Sequence, residues 1–496
     1  MKIVIAASGT RGDVQPYIAL GLELVNRGHE VVLATEERMK PLVELLGPGI
    51  TFAQVTGDPQ GIILEKKNQK LLAEGKTSTV LHARTDANNQ AFGPPVLNDY
   101  WAACQGADLI ISAWDCLCLT ATMSCAEKLG VPWVPVALRP VMPTGEFPPS
   151  PMSSKPGQHP IPVMCFNPYM FIPLPIMWVH PFDYKWVRKS LYRFFYWARW
   201  KQDASRINAW RKEVLGLPPM TKGLVGVLDK SAGMIPVVQM CSRFFIPGLH
   251  PPGDWPSHAH VTGSAYLPDT PEEEVDEKLR QFVLGGKKPL YLGFGSMPAP
   301  EPRALVELAI EVVTQTGERA VLCADWPELS AIIGPGEGKL QLPEKLLMIV
   351  PSAPHDWLLP RCCAAVHHCG VGIAVAVLRA GIPSIACPVM LDQPWYAERL
   401  VEAEVAADPI PFHEATAKVL VKRIASVCNN SIMQQRAQEV AATISKEYTG
   451  VNAAADIALG AKEPWTKMGL GKQKCNSSNA SDDVKAPLLR PCSHHN

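Results

Sequence analysis

What most restricts this chain is a recurrent unit: a short apolar run that breaks at glycine and leads into an amphipathic helix. Residues 2–7 (KIVIAA), bounded by Ser8 and Gly9, give its first copy. A run without alternation reads as a strand buried on both faces, as in a parallel sheet. A helix is expected next. Pro16 suits its first turn, Ile18, Leu22 and Val25 share one face, and Gly28 stands where it should end before a strand at 31–34. The pattern returns as a strand at 108–112, a helix at 120–129 and a strand at 131–136. In the second half it is more regular, with strands at 290–294, 320–324, 347–350, 364–367 and 384–388 and a helix at 303–314. Such alternation defines an α/β chain with parallel sheets. At 496 residues the chain suits two units of this kind. The expected division is residues 1–242, a Pro/Gly-rich connector at 243–271, a second unit at 272–462, and a polar tail at 463–496 read as disordered. Two such halves leave a cleft, the usual place for a ligand.

Charge narrows the partners. Lys+Arg and Asp+Glu balance at 47 each, so no global field favours nucleic acid. The 14 cysteines show no paired metal-ligand spacing and read as reduced, mostly buried thiols. The N-terminus lacks a secretory apolar region, and no apolar stretch reaches the roughly 18 to 20 residues that span a bilayer. A cytoplasmic protein is therefore expected, with attachment to a membrane surface left open. Asn-x-Ser triplets at Asn476 and Asn479 read as chance matches.

Three turns could carry chemistry. His367-His368-Cys369-Gly370-Val371-Gly372-Ile373 runs from a strand into a helix. Glycines there let a phosphate approach the backbone, and the unpaired amides at the positive end of a helix favour an anion. A tight turn with no ligand fits the same residues. Asp392 and Gln393 follow the next strand, where a carboxylate and an amide suit sugar hydroxyls. Gly293-Phe294-Gly295-Ser296 forms another strand-end turn, with Ser296 as a second diphosphate contact. In the first half, Ser8-Gly9-Thr10-Arg11-Gly12-Asp13 follows the first strand. Asp13 is either a proton acceptor or simply the cap of the helix after it.

These motifs match a family. Gly9-Thr10-Arg11-Gly12-Asp13-Val14-Gln15-Pro16, Gly57-Asp58-Pro59, 126–132 (AEKLGVP), Val261-Thr262-Gly263, Gly293-Phe294-Gly295-Ser296-Met297, 354–358 (PHDWL) and Asp392-Gln393-Pro394-Trp395 occur in this order over roughly residues 1–460. Together they resemble the sterol 3-beta-glucosyltransferases and, more distantly, the antibiotic aglycone glycosyltransferases. The resemblance implies a GT-B fold of two Rossmann-like domains facing a cleft, UDP-glucose as donor, inversion at the anomeric carbon, and neither metal nor cofactor. It implies Asp13 as the base, with Thr10 and Arg11 beside it at the donor. Ala353 and His355 would lie near the nucleobase. Ser296 and the turn of His368, Gly370, Val371, Gly372 and Ile373 would meet the diphosphate, and Asp392 and Gln393 the glucose.

The chain departs from the family in its phosphate turn, most consequentially at Ile373. The phosphate turn of the family usually reads HHGGAGTT, and Ile373 here replaces a hydroxyl expected to donate to phosphate. Such a bond is worth about 1.5–3 kcal/mol, so donor binding should weaken and Ile373→Thr should restore it. Three functions stay open: glucosyl transfer to a sterol or similar lipid, transfer to another apolar alcohol, and a catalytically impaired lipid- or nucleotide-binding homologue. Residues 183–213 carry nine Lys/Arg against three Asp/Glu, interleaved with Trp186, Phe194, Phe195, Trp197 and Trp200. This suits either an anionic membrane surface or an ordinary amphipathic helix. The Pro-, Met- and aromatic-rich stretch 166–178 suits an apolar acceptor pocket.

Overall fold

The computed structural model describes residues 1–58, 61, 65–76, 79–80, 93–114, 116–149, 184–223, 225–226, 235–294, 302–324, 329–446 and 450–461. Ser296, the 166–178 stretch, Asn476 and Asn479, and the tail from 463 lie outside the described residues.

Twelve strands among the described residues form two parallel sheets. The first contains β1 (Lys2–Ala6), β2 (Glu30–Glu36), β3 (Ile50–Val55), β4 (Leu109–Ala113), β5 (Trp133–Ala137), β6 (Val237–Gln239) and β7 (Ala259–Val261) in the order β3-β2-β1-β4-β5-β6-β7. The second contains β8 (Leu290–Gly293), β9 (Ala320–Cys323), β10 (Leu347–Val350), β11 (Ala364–His367) and β12 (Ser384–Ala386) in the order β10-β9-β8-β11-β12. The helices that matter below are α1 (Arg11–Asn26), α2 (Cys116–Leu129), α3 (Lys185–Trp210), α4 (Pro302–Thr316), α5 (Val371–Ala380), α6 (Gln393–Glu402) and α7 (Gly450–Gly460).

The unalternated strands are apolar because both faces are covered. On β1, Val4 and Ala6 join a cluster with Leu119 and Met123 of α2, whereas Ile3 and Ile5 pack with Ile18, Leu20 and Leu24 of α1. On β8, Leu290 and Leu292 meet Leu305, Ala309 and Val312 of α4, while Tyr291 between them joins Ile373 and Val377 of α5 on the other face. Successive side chains on a strand point to opposite faces, so each strand serves two cores.

Two expectations need correction. Helix α1 starts at Arg11, so Pro16 sits in its second turn and not its first. Having no N–H, Pro16 cannot bond the carbonyl of Gly12, which is left without its usual helical partner. The expected division of the chain also shifts. Strand β7 lies inside the expected connector but hydrogen-bonds to β6 in the first sheet. Helix α7, expected in the second unit, returns to the first: Ala454, Ala455 and Ala458 share a core with Ile18 and Leu24, and Arg27 pairs with Asp456 at 2.6 Å.

Candidate active site

Strand order locates the site. In each sheet the chain first winds outward in one direction from β1 or β8, then resumes on the other side with β4 or β11. The loops leaving the carboxyl ends of that central pair diverge and leave a crevice, the usual binding position in open α/β sheets. The first crevice belongs to the turn from Ser8 to Asp13. The second belongs to Phe294 and the turn from His368 to Gly370, since His367 pairs with Gly293 on one side and Ala386 on the other.

The first turn is tied down by carboxylates of its own half. Glu36, at the end of β2 and only 3% exposed, accepts hydrogen bonds from Ser8 Oγ, from Gly9 N at 3.4 Å and from Thr35 Oγ1 at 3.0 Å. Asp13 is the third residue of α1, and its Oδ2 accepts from Thr10 N at 2.8 Å and Thr10 Oγ1 at 2.9 Å. Asp13 is therefore the acidic member of a capping box, and capping does account for part of its presence. Gly9, with φ of +131°, allows this closeness: a Cβ added there would lie 2.5 Å from Asp13 Oδ2. Arg11 donates through Nε to Gln15 Oε1 at 2.9 Å. Burial lowers its pKa, while Tyr291 and Cys323 of the other half act electrostatically to raise it, so the guanidinium is within the field of β8 and β9.

The second turn is left open. Gly370 is the N-cap of α5 and offers no side chain; the first helical bond runs from Ala374 N to Gly370 O at 3.0 Å. The amides of Val371, Gly372 and Ile373 consequently have no partner within the helix. His367 and Cys369 hold the turn from below. The His367 Nδ1 accepts from Cys369 N at 3.2 Å, so its proton is on Nε2, which meets Ser384 Oγ at 3.1 Å. Burial, with help from His368 and His355, pushes the pKa of His367 down to about 3. Cys369 is buried and has φ of +62°, an uncommon conformation for a residue with a side chain. Strain of this kind collects at functional turns.

His368 is also neutral near pH 7. Burial lowers its pKa to about 4, with the Gly293 carbonyl pulling the other way. Its Nδ1 is buried without a hydrogen-bond partner among the described residues, and its Nε2 lies over Gly370. Nε2 is thus the ring nitrogen that stands at the start of α5, where a ligand oxygen would meet it. Ile373 behaves differently from expectation. Its side chain is 6% exposed and packs with Tyr291, Val350, Ala353 and Trp357 in the core, so only its amide faces the turn. His355 meets the Tyr291 hydroxyl through Nε2 at 2.9 Å, and burial with Arg11 nearby lowers its pKa to about 4. Ala353, 9% exposed, joins the same cluster.

Asp392 is the N-cap of α6, and Gln393 follows with its Oε1 accepting from Val389 N at 2.8 Å and Met390 N at 3.1 Å. Gln393 thus fixes the loop before it and has its amide nitrogen left to offer a ligand. The two crevices meet. Gly12 and Gly372 are so close that a Cβ on Gly372 would lie 3.3 Å from Gly12 Cα, and one on Gly12 would lie 3.6 Å from Gly372 N. The start of α1, with Asp13, therefore faces the start of α5.

Sequence reading missed two charged residues here. Glu36 had a signal, being an acid at the end of the second strand of a Rossmann-like unit, some 25 residues after the first turn. Arg139 had none beyond following β5; its Nη1 lies 3.7 Å from Asp392 Oδ2 of the other half. On α3, most of the basic excess proves to be engaged. Arg188 donates to Gly145 O and Glu146 O, Lys189 pairs with Asp254, Arg199 and Arg206 with Asp203, and just past the helix Arg211 pairs with Glu127. The outer stripe nevertheless exposes Trp186 (71%) and Trp197 (45%) beside Lys185 and Lys201. No helix among the described residues is long and apolar enough to cross a membrane, and no metal-binding cluster is found among them.

Comparison with known proteins is consistent with this layout. Residues 3–143 match the glycosyltransferase family 28 N-terminal domain, and residues 335–457 match the erythromycin biosynthesis protein CIII-like C-terminal domain. A sterol 3-beta-glucosyltransferase of Yarrowia lipolytica is 30% identical over 407 residues, which cover 81% of this chain but 25% of that longer protein. An O-mycaminosyltylonolide 6-deoxyallosyltransferase of Streptomyces fradiae is 29% identical over 91% of this chain and 96% of its own length. Among solved structures, the glycosyltransferase VinC in complex with dTDP superposes with a TM-score of 0.59 at 18% identity, covering 93% of this chain and 99% of VinC. The chain spans well under two thirds of the length of the fungal relatives it matches. The two facing halves have the GT-B fold.

Proposed function

Because the chain belongs to the sterol 3-beta-glucosyltransferase-like family of GT-B glycosyltransferases, we propose that it moves glucose from UDP-glucose to the hydroxyl of a sterol or similar lipid, with inversion. The observation that carries this reading is the approach of Gly12 to Gly372, which sets a carboxylate from one half opposite an uncapped helix start from the other.

In this proposal the diphosphate of the donor lies on the amides of Val371, Gly372 and Ile373, with His368 Nε2 as a further polar contact and Ser296 as a second diphosphate contact. The acceptor oxygen attacks the anomeric carbon as the Asp13 carboxylate takes its proton. The C–O bond to UDP breaks, and the departing charge is received by fixed amide dipoles that need no reorganisation. Thr10 orients the Asp13 carboxylate through the two bonds to Oδ2. Arg11 brings a positive charge from the first half toward the nucleotide, Ala353 and His355 border the base, and Asp392 and Gln393 take the glucose hydroxyls. No step needs a metal.

The exposed Trp186, Trp197, Lys185 and Lys201 of α3 support contact with an anionic membrane, from which an apolar acceptor could be collected. Co-sedimentation with vesicles containing anionic lipid, lost in vesicles without it, is the expected result. The similarity to the S. fradiae enzyme, across nearly all of that protein, favours a second reading in which the acceptor is another apolar alcohol. One experiment separates these. Purified protein is incubated with radiolabelled UDP-glucose and a panel of sterols and other apolar alcohols. A labelled steryl glucoside is expected, product from non-sterol alcohols alone would select the second reading, and absence of both transfer and millimolar UDP binding would end the enzymatic one.

A further inference from the structure

The two halves touch at a second place, and the family motifs do not mark its first-half side. Leu138 and Arg139 leave the carboxyl end of β5 in the first half and meet residues one helical turn apart at the start of α6 in the second. The Tyr396 hydroxyl donates to Leu138 O at 3.2 Å, and Arg139 Nη1 lies 3.7 Å from Asp392 Oδ2. Neither end of this contact is loose. Tyr396 is fully buried and stacks edge-on against Phe245 and Trp395, with ring centroids 5.1 Å apart in both pairs. The loop before Asp392 is pinned by Gln393, and Leu391 within it has φ of +59°.

We propose that Arg139 is a positioning residue for the sugar: it reaches across the cleft to hold Asp392 in the orientation that receives the glucose hydroxyls, on the same side of the cleft as Asp13. This rests on the proposed role of Asp392. At 3.7 Å the pair is longer than a hydrogen bond, so the guanidinium acts on the Asp392 carboxylate as a fixed positive charge across the cleft. Burial works against its charge, but Asp392, Tyr396, Tyr196 and Asp13 together more than compensate, so its pKa is raised and it stays cationic. Arg139 therefore lies in the field of both carboxylates, one from each half, while the Tyr396–Leu138 bond fixes the backbone beside it. The ion pair itself is partly solvated, with side chains 37% and 27% exposed, so it contributes little to folding stability. Its effect should fall on alignment, where a displacement of about 1 Å can cost a factor on the order of 100.

The test uses the whole chain and compares UDP with UDP-glucose, because Asp392 touches only the sugar in this arrangement. For Arg139→Gln the dissociation constant of UDP, measured by calorimetry, should stay within about twofold of the parent. The KM for UDP-glucose should rise about tenfold or more, and Arg139→Lys should recover part of the loss. Parent-like KM and kcat in Arg139→Gln would overturn the inference while leaving the reaction assignment intact. A parallel loss of UDP affinity and thermal stability would also overturn it, by making Arg139 an ordinary structural contact. If the unmodified protein neither binds UDP nor transfers glucose, the proposed function fails, and this inference with it.

Discussion

The two halves place the same device, a strand followed by a turn and a helix start, at the same topological position, and they treat its positive end in opposite ways. In the first half the helix start is filled from within. Asp13 accepts from Thr10 N and Oγ1, and Glu36 accepts from Ser8 and Gly9. An external anion arriving there would meet carboxylates. In the second half the helix start has a glycine N-cap, no capping side-chain bond and His368 Nε2 lying over that glycine. An internal acid makes one turn a candidate proton acceptor; the lack of one makes the other a candidate phosphate site. Fold alone would not distinguish them, since both belong to parallel sheets with a central switch point.

The largest effect that could break this contrast is expected from Asp13→Asn. Asparagine can still accept from the Thr10 amide, so thermal stability and UDP affinity should change little. Turnover should fall on the order of a thousandfold, in the middle of the range for loss of a general base. Turnover within a few-fold of the parent would reduce Asp13 to a helix cap. Next in size is Gly372→Val, which inserts carbon atoms where Gly12 Cα already lies 3.3 Å from a single added Cβ. The halves must separate or the turn must shift, and UDP affinity by calorimetry should drop about ten- to a hundredfold, equivalent to losing about one charge-assisted bond.

A smaller effect should come from acidification. His367, His368 and His355 have folded-state pKa values of about 3, 4 and 4, below the ordinary 6.5, with burial as the main cause. The unfolded chain therefore binds more protons than the folded one between pH 6.5 and about 4. Stability from keeping these rings neutral is full above pH 6.5 and is lost as pH falls through that window. Melting temperature should decline accordingly, and replacing His367 by Asn should flatten the decline. The smallest effect on the donor should be that of Ile373→Thr. Since the Ile373 side chain packs against Tyr291 and Trp357, this change should cost about 2 kcal/mol of stability and alter UDP affinity by less than about threefold. A large gain in affinity would return the missing hydroxyl to the phosphate site.

How much of this was legible in sequence depended on whether a signal was local. The strands were readable because residues such as 3–6 on β1 and 364–366 on β11 are buried on both faces and leave unbroken apolar runs. The helix start at Arg11 was not, because proline is favoured in a first turn and yet is tolerated in the second turn here. The turn at His368 to Gly372 was legible from its glycines, but the direction of the Ile373 side chain was not. Third in the helix, it points into a core formed by residues from β8, β10 and the 355–358 segment, all distant in sequence. Arg139 was invisible for the same reason: its partner Asp392 lies in the other half of the chain, and no spacing rule connects them.

The most direct test of the account is a crystal structure of the chain with UDP. Its phosphate oxygens should lie within about 3 Å of the amides of Val371, Gly372 and Ile373, with the Asp13 carboxylate facing them from across the cleft. Phosphate bound instead at the turn from Ser8 to Asp13, or away from both helix starts, would contradict it.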